Sequence, residues 1–176
     1  MGKIKLDNVR LSFPNLFKKA TFSGEETKYE ATFLLDKDKH ATLIKQIKGE
    51  IDAAIKEKWD GKIKSIPADK LFMKDGDAYD YVGYAGNMSV KASCKSRPMC
   101  VDRDRTPLTE DDNKLYAGCY VNGIIELWVQ DNSYGKRVNA NLLGVQFFKD
   151  GAPFADGVKA SASDFDAFES EVDDFV

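Results

Sequence analysis

The sequence predicts a mainly β domain with one long inserted helix and a disordered acidic C-terminal tail. About five stretches alternate between apolar and polar residues, which is typical of half-buried strands. One stretch repeats apolar residues every three or four positions, as an amphipathic helix does. The last thirteen residues hold six carboxylates and no Lys or Arg. Five strands and one covering helix fit a small barrel or curled sheet, and on pattern alone an OB-like barrel, a sandwich and an α+β roll remain open.

The first strands are predicted near the N-terminus. Residues 3–13 alternate with Ile4, Leu6, Val9, Leu11 and Phe13 on one face. The step from Leu6 to Val9 breaks the period, which indicates a bulge at Asp-Asn. Residues 23–28 are predicted as a hairpin loop. The next strand is half-buried, with an inward face formed by Tyr29, Ala31, Phe33 and Leu35.

A helix is predicted over about residues 39–59, with Asp38 as its N-cap and Gly61 ending it. Its apolar stripe is formed by Leu43, Ile44, Ile47, Ile51, Ala54, Ile55 and Trp59. Such a stripe is typical of a helix that packs on a core.

The second half of the chain is predicted as loops and three strands. Residues 62–85 lack a clear period, and residues 102–114 form a charged loop. Met88, Val90, Ala92 and Cys94 alternate with Ser89, Lys91, Ser93 and Lys95 in one strand. A strand pair follows over 116–130 and 137–148. We expect one domain over residues 1–156 and a flexible linker with an acidic tail over 157–176.

The charge is divided unevenly along the chain. Six of the 29 acidic residues lie in the last thirteen positions, which leaves 23 acidic against 26 basic residues before them. The body is therefore +3 and the tail −6, an asymmetry that suggests either a charged partner or a tail that interacts with the body. No apolar stretch reaches membrane-spanning length, and the N-terminus does not resemble a signal peptide. The three widely spaced cysteines, Cys94, Cys100 and Cys119, favour a reducing, intracellular location.

The sequence offers little for catalysis, and we expect no catalytic residue, cofactor or metal. The only histidine, His40, is predicted as a solvated helix-end residue, and the cysteine spacing matches no zinc pattern. The segment with Asp75, Asp77 and Asp80 lacks the Gly and Glu of a calcium loop. A metal-dependent nuclease or recombination enzyme remains an alternative. Its carboxylates would be Asp102, Asp104, Asp111 and Asp112, although Arg103, Arg105 and Lys114 interleave with them.

Binding of a single-stranded nucleic acid is better supported by composition. Proteins of this kind combine a basic groove with aromatic side chains on which bases stack. The candidate residues are Tyr79, Tyr81, Tyr84, Lys91, Lys95, Arg97, Tyr134, Lys136 and Arg137. Tyrosines at strand edges often only cap a core, and a body charge of +3 is weakly basic, so the alternative of plain packing stays open.

Several segments, in the same order through nearly the whole chain, resemble a family of single-stranded DNA-binding proteins of tailed bacteriophages and prophages. They are LSFPNLF, KYEATFLLDK, YAGNMSVKA, YAGCYVNGIIELWVQ and NANLLGVQFFKDG, followed by the acidic tail with aromatics. The resemblance implies an OB-fold barrel that coats single-stranded DNA during phage replication, recombination and repair in the bacterial cytoplasm. Weak double-stranded DNA binding and a homodimer are left open, and no membrane contact is expected.

The resemblance also gives the tail a role. The tail would compete with DNA for the basic groove and recruit phage or host replication and recombination proteins. The tail residues concerned are Asp164, Phe165, Asp166, Phe168, Glu169, Glu171, Asp173, Asp174 and Phe175. The aromatic is penultimate here, before Val176, rather than terminal. A phage structural or assembly protein whose tail binds a protein partner is the remaining alternative.

Overall fold

The structure, a computed structural model, describes residues 2–154 and consists of nine strands and one α-helix. The strands are β1 (Lys3–Asn15), β2 (Thr21–Phe22), β3 (Glu25–Glu26), β4 (Tyr29–Asp36), β5 (Met73–Asp75), β6 (Asn87–Cys94), β7 (Met99–Val101), β8 (Tyr120–Asn132) and β9 (Gly135–Lys149). The helix is α1 (Ala41–Lys58), between β4 and β5. The linker and acidic tail predicted over 157–176 lie outside the described residues.

Five of the strands close into a barrel. Antiparallel pairs join β6, β4, β1, β8 and β9 in that order. The circle is completed by a parallel contact between β6 and β9 at Ser93 and Asn141. Further along the same seam, the backbone of Leu71 and Phe72 lies between the two strands: the Phe72 N–H donates to the Val138 carbonyl (3.0 Å) and the Lys91 N–H to the Phe72 carbonyl (3.1 Å). The OB-like barrel, among the three alternatives, is the one that forms.

The barrel interior is filled by inward residues of these strands and by one face of α1. Phe33 of β4 is fully buried at the centre of the core. Gly123 of β8 lies beneath it, and a Cβ at this position would approach the Phe33 ring to 2.9 Å. A larger residue there would displace the ring, so the glycine in the middle of a long strand is explained by packing.

The predicted bulge in β1 is confirmed. The pairing with β8 shifts register between Leu6 and Val9, and Asn8 has a positive φ of 52°. The Asn122 side chain compensates for the interrupted ladder, because its Oδ1 accepts the Asn8 N–H at 2.9 Å. Both sides of the bulge therefore keep their apolar residues in the core.

The helix prediction is confirmed along its length but is wrong at its start. Ile44, Ile47, Ile51, Ala54 and Ile55 form the buried face. The N-cap is His40, not Asp38, because the Asp36 carboxylate accepts the N–H groups of Asp38 and Lys39 and forms a turn before the helix. At the other end, the Gly61 N–H donates to the Lys56 carbonyl at 3.0 Å, as expected for a glycine that follows a helix.

His40 is also more constrained than a solvated helix-end residue. Its Nδ1 accepts the Asp36 N–H at 3.0 Å, which leaves the proton of the neutral ring on Nε2. Nε2 lies 3.2 Å and 3.1 Å from the carbonyl oxygens of Asp7 and Asn8. The single histidine thus ties the start of α1 to the β1 bulge.

Strand β4 differs from the half-buried strand that alternation predicted. Thr32 and Leu34 are buried as well as the inward residues Ala31, Phe33 and Leu35. The reason is that β4 lies between β1 and β6, so side chains of both neighbouring strands flank its outer face. Short strands β2, β3, β5 and β7 were not predicted individually; β2 and β3 form the expected hairpin around residues 23–28.

The cysteines are free thiols in the described part of the chain. Burial raises the pKa of Cys100 and Cys119 to about 11, so both are protonated at neutral pH and pack as small apolar groups. Across residues 2–154, no helix has both the length and the apolar character needed to cross a membrane.

Candidate nucleic-acid interface

A groove of about 640 Å³ crosses the outer face of the barrel. Its base is formed by β4 and β6, which contribute Glu30, Thr32, Ser89, Lys91 and Ser93. The ends of β8 and β9 form the opposite wall with Trp128, Gln130, Arg137 and Asn139. The groove therefore runs across the seam between β6 and β9, where Leu71 and Phe72 also reach its surface.

The charged groups of the groove are mostly cations. Five basic residues line it: Lys28, Lys70, Lys74, Lys91 and Arg137. Among residues 2–154, Glu30 is the only acidic residue lining the groove, and its carboxylate lies 3.4 Å from the Lys91 ammonium. A groove with this balance attracts a polyanion, although the body as a whole carries only +3.

Four aromatic rings form one edge of the groove. Tyr79 and Tyr81 are stacked, with centroids 5.7 Å apart and an angle of 18° between the planes. Phe13 meets Tyr81 edge-on at 5.0 Å. Tyr84 contacts all three rings at 5.1–6.3 Å. These four residues are called the aromatic edge below.

Tyr84 supports the aromatic edge from beneath. It is only 4% exposed, whereas Phe13 and Tyr81 are 48% and 52% exposed. Its hydroxyl lies 3.1 Å from the Ser12 hydroxyl, and burial raises the pKa of Tyr84, so the phenol stays neutral. Tyr84 therefore holds the exposed rings in place and presents no free face of its own.

Phe13 was predicted in the core, and this prediction is wrong. Its φ is +44°, a region that bulky L-residues rarely occupy, and β1 shifts register beside it. Its neighbour Ser12 pairs across the sheet with the groove residue Thr32 and is 2% exposed because Tyr84 lies against it. Strained backbone of this kind is often retained at functional sites, and here it turns an aromatic ring outward into the groove.

Two aspartates fix the loop that carries Tyr79 and Tyr81. The Lys37 ammonium donates to Asp75 Oδ1 at 2.8 Å and to Asp77 Oδ2 at 2.6 Å. Asp77 Oδ1 also accepts the Gly86 N–H at 2.8 Å. The bond from Lys37 is the main reason why the pKa of each aspartate is lowered. These carboxylates are therefore engaged in holding the loop.

The structure brings five of the nine predicted contact residues to the groove: Tyr79, Tyr81, Tyr84, Lys91 and Arg137. The other four do not line it. Lys95 lies beyond the end of β6, and Arg97 donates to the Phe17 carbonyl at 3.4 Å. Tyr134 lies exposed at the tip of the β8–β9 hairpin, and Lys136 lies 3.6 Å from the Asp131 carboxylate.

Sequence reasoning missed seven lining residues that bear charge or rings: Phe13, Lys28, Glu30, Lys70, Phe72, Lys74 and Trp128. Trp128 carried a usable signal, because it alternates with Leu127 and Val129 and so had to face outward. The lysines come from three separate segments, and only the fold brings them together.

Three of the four carboxylates proposed for the nuclease alternative are held by local contacts. Asp102 pairs with Lys114, and Asp104 Oδ1 accepts the Thr106 N–H at 3.0 Å. Asp112 accepts the Thr109 N–H at 2.7 Å in a capping box. Within residues 2–154, no three His, Cys, Asp or Glu side chains are grouped so that they could hold a metal ion.

Comparison with known proteins identifies close relatives. A protein named p50 from Acyrthosiphon pisum secondary endosymbiont phage 1 is 46% identical over 172 residues, covering 93% of this chain and 92% of p50. The single-stranded DNA-binding protein from bacteriophage Enc34 in complex with ssDNA is 38% identical, with a TM-score of 0.80, and the match covers 88% of this chain and 90% of that one. A second structure of the single-stranded DNA-binding protein from bacteriophage Enc34 is 37% identical, with a TM-score of 0.79, and the match covers 93% of this chain and 89% of that one.

A more distant likeness concerns the fold alone. The single-stranded DNA-binding protein gp2.5 encoded by bacteriophage T7 is 14% identical, with a TM-score of 0.57, and the match covers 92% of this chain and 99% of that one.

The family model described as the ssDNA-binding protein of Enterobacter phage Enc34 matches residues 2–176. The resemblance seen in the sequence is thereby confirmed: the chain belongs to the family of the Enc34 phage ssDNA-binding protein.

Proposed function

We propose that the protein binds single-stranded DNA in the groove, largely without sequence preference, during phage DNA replication, recombination and repair. The observation that supports this best is the groove itself, with five cations and exposed rings on the face of a closed barrel. The family membership of the chain supports the same function, because a relative with 38% identity is described in complex with ssDNA.

Binding divides into two kinds of contact. Lys91 and Arg137, on opposite sides of the seam, neutralise phosphates and release counterions. The exposed rings of Phe13, Tyr81 and Trp128 stack on bases, at about 1–3 kcal/mol for each base. Every base has a π-face, so stacking accepts any sequence.

Fluorescence anisotropy with a labelled oligothymidine, measured against increasing salt, tests this function. We expect tight binding at low salt that weakens linearly on a log–log plot, with a slope of roughly −0.7 for each phosphate contacted. A duplex of equal length is the control, and it should bind more weakly because its bases are not free to stack. No binding of oligothymidine at low salt would favour the alternative of a structural or assembly protein.

The acidic tail competes with DNA in this proposal. Its six carboxylates can occupy the same cations as phosphates, and its Phe residues can occupy base-stacking positions. A chain ending at Ser163 keeps every element described here and removes the thirteen tail residues. It should bind oligothymidine more tightly and with a larger salt slope than the full chain. Equal binding would leave the tail a role with protein partners or in solubility only.

The protein acts in this proposal by binding and not by catalysis, in the cytoplasm of the bacterial host. Its tail recruits phage or host replication and recombination proteins once DNA displaces it. Incubation of labelled single-stranded DNA with the protein and Mg²⁺ or Mn²⁺ tests the first point, and cleavage that disappears on substitution of Asp102 would support the nuclease alternative.

A further inference from the structure

We propose that a second cleft beside the groove is an additional base-binding site, which takes one base from the strand that leaves the groove. The inference rests on the proposed function, because it concerns the same ligand. The cleft has a volume of about 370 Å³ and shares Phe13, Asn15 and Tyr81 with the groove.

The two cavities are separated only by the aromatic edge. Phe13 and Tyr81 meet edge-on at 5.0 Å, and both line both cavities. Both are about half exposed. A strand that passes over these two rings can therefore place one base in the groove and the next in the cleft without leaving an aromatic surface.

The far wall of the cleft is rigidly built. It is formed by Ala117 and Phe154, and the Phe154 N–H donates to the Ala117 carbonyl at 3.0 Å. The Arg10 guanidinium lies 4.2 Å from the centre of the Phe154 ring and donates through Nε to the Gly118 carbonyl at 3.0 Å. On the other side, the Phe154 ring packs directly on Gly83, where no room is left for a Cβ. A wall held in this way is present before any ligand arrives.

The chemistry of the cleft suits a base and not a phosphate. Within the described part of the chain, no Lys or Arg lines it and Asp80 is its one charged residue, in contrast to the five cations of the groove. Val82 at its rim is 65% exposed, which gives the entrance an apolar surface. A carboxylate or phosphate gains nothing there, whereas an uncharged aromatic base is a good occupant.

The substitution Ala117→Leu fills the cleft from its wall and leaves every groove residue intact. Ala53→Leu, on the exposed face of α1, is a matched control that adds the same side chain far from both cavities. Affinities of the full-length proteins are measured for oligothymidines of about 4 to 16 nucleotides, the range of site sizes known for OB folds. We expect the A117L variant to match the wild type on the shortest oligomers and to lose about tenfold in affinity on longer ones, as the loss of one stacked base predicts. Its salt slope should not change.

A second measurement locates the lost base. The fluorescence of 2-aminopurine, placed at each position of a long oligomer in turn, reports stacking at that position. A117L should lose stacking at one position near an end of the contacted stretch and keep it elsewhere. Equal affinity of A117L and wild type at every length would overturn the proposal, and so would an equal loss at every length or a changed salt slope. Failure of all variants, wild type included, to bind any oligomer would instead reject the proposed function.

Discussion

At the scale of single residues, the groove cations are distinguished from nearby cations by position alone. Lys91 lines the groove within β6, whereas Lys95 lies just past the end of the same strand and outside the groove. Since each phosphate contact adds to the salt dependence of binding, we predict that Lys91→Ala and Arg137→Ala each weaken oligothymidine binding and reduce the slope by about 0.7. Lys95→Ala should leave the slope unchanged. Equal effects at Lys91 and Lys95 would mean that DNA follows β6 beyond the groove.

Substitution of Glu30 should have the opposite effect on DNA binding. No other carboxylate of the described residues lines the groove, and Glu30 pairs with Lys91 at 3.4 Å. We predict that Glu30→Gln tightens oligothymidine binding, because the Lys91 ammonium is released and a negative charge near the phosphates is removed. The measurement is the same salt titration, and weaker binding of this variant would show that Glu30 positions Lys91 productively.

Two substitutions at Phe13 distinguish the effect of its ring on DNA binding from the effect of its positive φ on stability. Phe13→Ala and Phe13→Gly both remove the ring, and both should lower affinity by roughly 1–3 kcal/mol if a base stacks there. Only glycine relieves the strain at φ +44°. We therefore expect the Gly variant to be about 0.5–1 kcal/mol more stable to urea than the Ala variant, after allowance for the greater freedom of glycine in the unfolded chain. An Ala variant as stable as the Gly variant would contradict a strained backbone.

Phe13 also shows why single residues were mispredicted. Its position follows in phase from Leu11, and alternation alone assigns such a residue to the core. The outward turn of Phe13 depends on one backbone dihedral and accompanies the contact of its neighbour Ser12 with the Tyr84 hydroxyl, 72 positions away in sequence. No local pattern contains that information.

At the scale of elements, the loop that bears Tyr79 and Tyr81 is held at both ends, and the Lys37 contacts give it a pH dependence. The pKa of Asp75 and of Asp77 is lowered in the folded protein, chiefly by the bond from Lys37. A lowered folded pKa stabilises the fold above the unfolded value of about 3.9, and this contribution is lost as the pH falls through the folded pKa. We predict no change between pH 7 and 5 and a loss below about pH 4.

The double variant Asp75→Asn, Asp77→Asn isolates this effect from that of other carboxylates. Urea unfolding of wild type and double variant at pH 7, 5 and 3 should give a stability difference that shrinks only at the lowest pH, because both proteins then lack the ionised pair. A difference that is constant across the series would mean that the charges of Asp75 and Asp77 contribute nothing.

The other end of this loop rests on Phe154. Gly83 has a φ of +87° and lies against the Phe154 ring, so Gly83→Ala introduces both backbone strain and a clash. Phe154→Ala removes the clash but not the strain. A double-mutant cycle measured by urea unfolding should therefore show that the two changes together destabilise less than their sum, by about 0.5–3 kcal/mol. Strict additivity would mean that the loop and the segment before residue 155 are independent.

Long and regular elements were predicted correctly, whereas very short strands were missed. The helix α1 and strands β1, β4, β6, β8 and β9 were found because each repeats its pattern several times. Strand β5 has three residues and β7 has three, too few for a period to be visible. Both are defined by their neighbours: β5 pairs with β6, and β7 with β9.

At the scale of the whole molecule, barrel closure could not be read from the apolar pattern alone, and the family resemblance was what correctly predicted it. Ser93 and Asn141 meet in parallel although 48 positions separate them, and neither is part of a distinctive pattern. The pattern left a barrel, a sandwich and a roll open because all three use the same strands. The residues that line the groove could be predicted only in part for the same reason, because closure of the barrel brings its lysines together from separate segments.

Ligand binding should stabilise the molecule as a whole. A ligand that binds only the folded state adds about 2.7 kcal/mol at one hundred times its Kd. We predict that oligothymidine raises the Tm in a concentration-dependent way, and that Lys91→Ala requires proportionally more oligomer for the same rise. A Tm that does not respond to saturating oligomer would show that binding also occurs to the unfolded chain.

The position of the seam has one further consequence. Elsewhere neighbouring barrel strands pair antiparallel over several residues, with bulges, but β6 and β9 meet directly at one residue pair and otherwise through the Leu71–Phe72 backbone. A DNA strand lying in the groove would touch Lys91 on one side of this line and Arg137 on the other, and so would bridge the least continuous part of the wall. The bound DNA would then link β6 to β9. Amide hydrogen exchange should slow most along β6 and the first half of β9 when DNA is bound. The reason is that separation of these two strands, which exposes their amides, would first require the loss of DNA contacts.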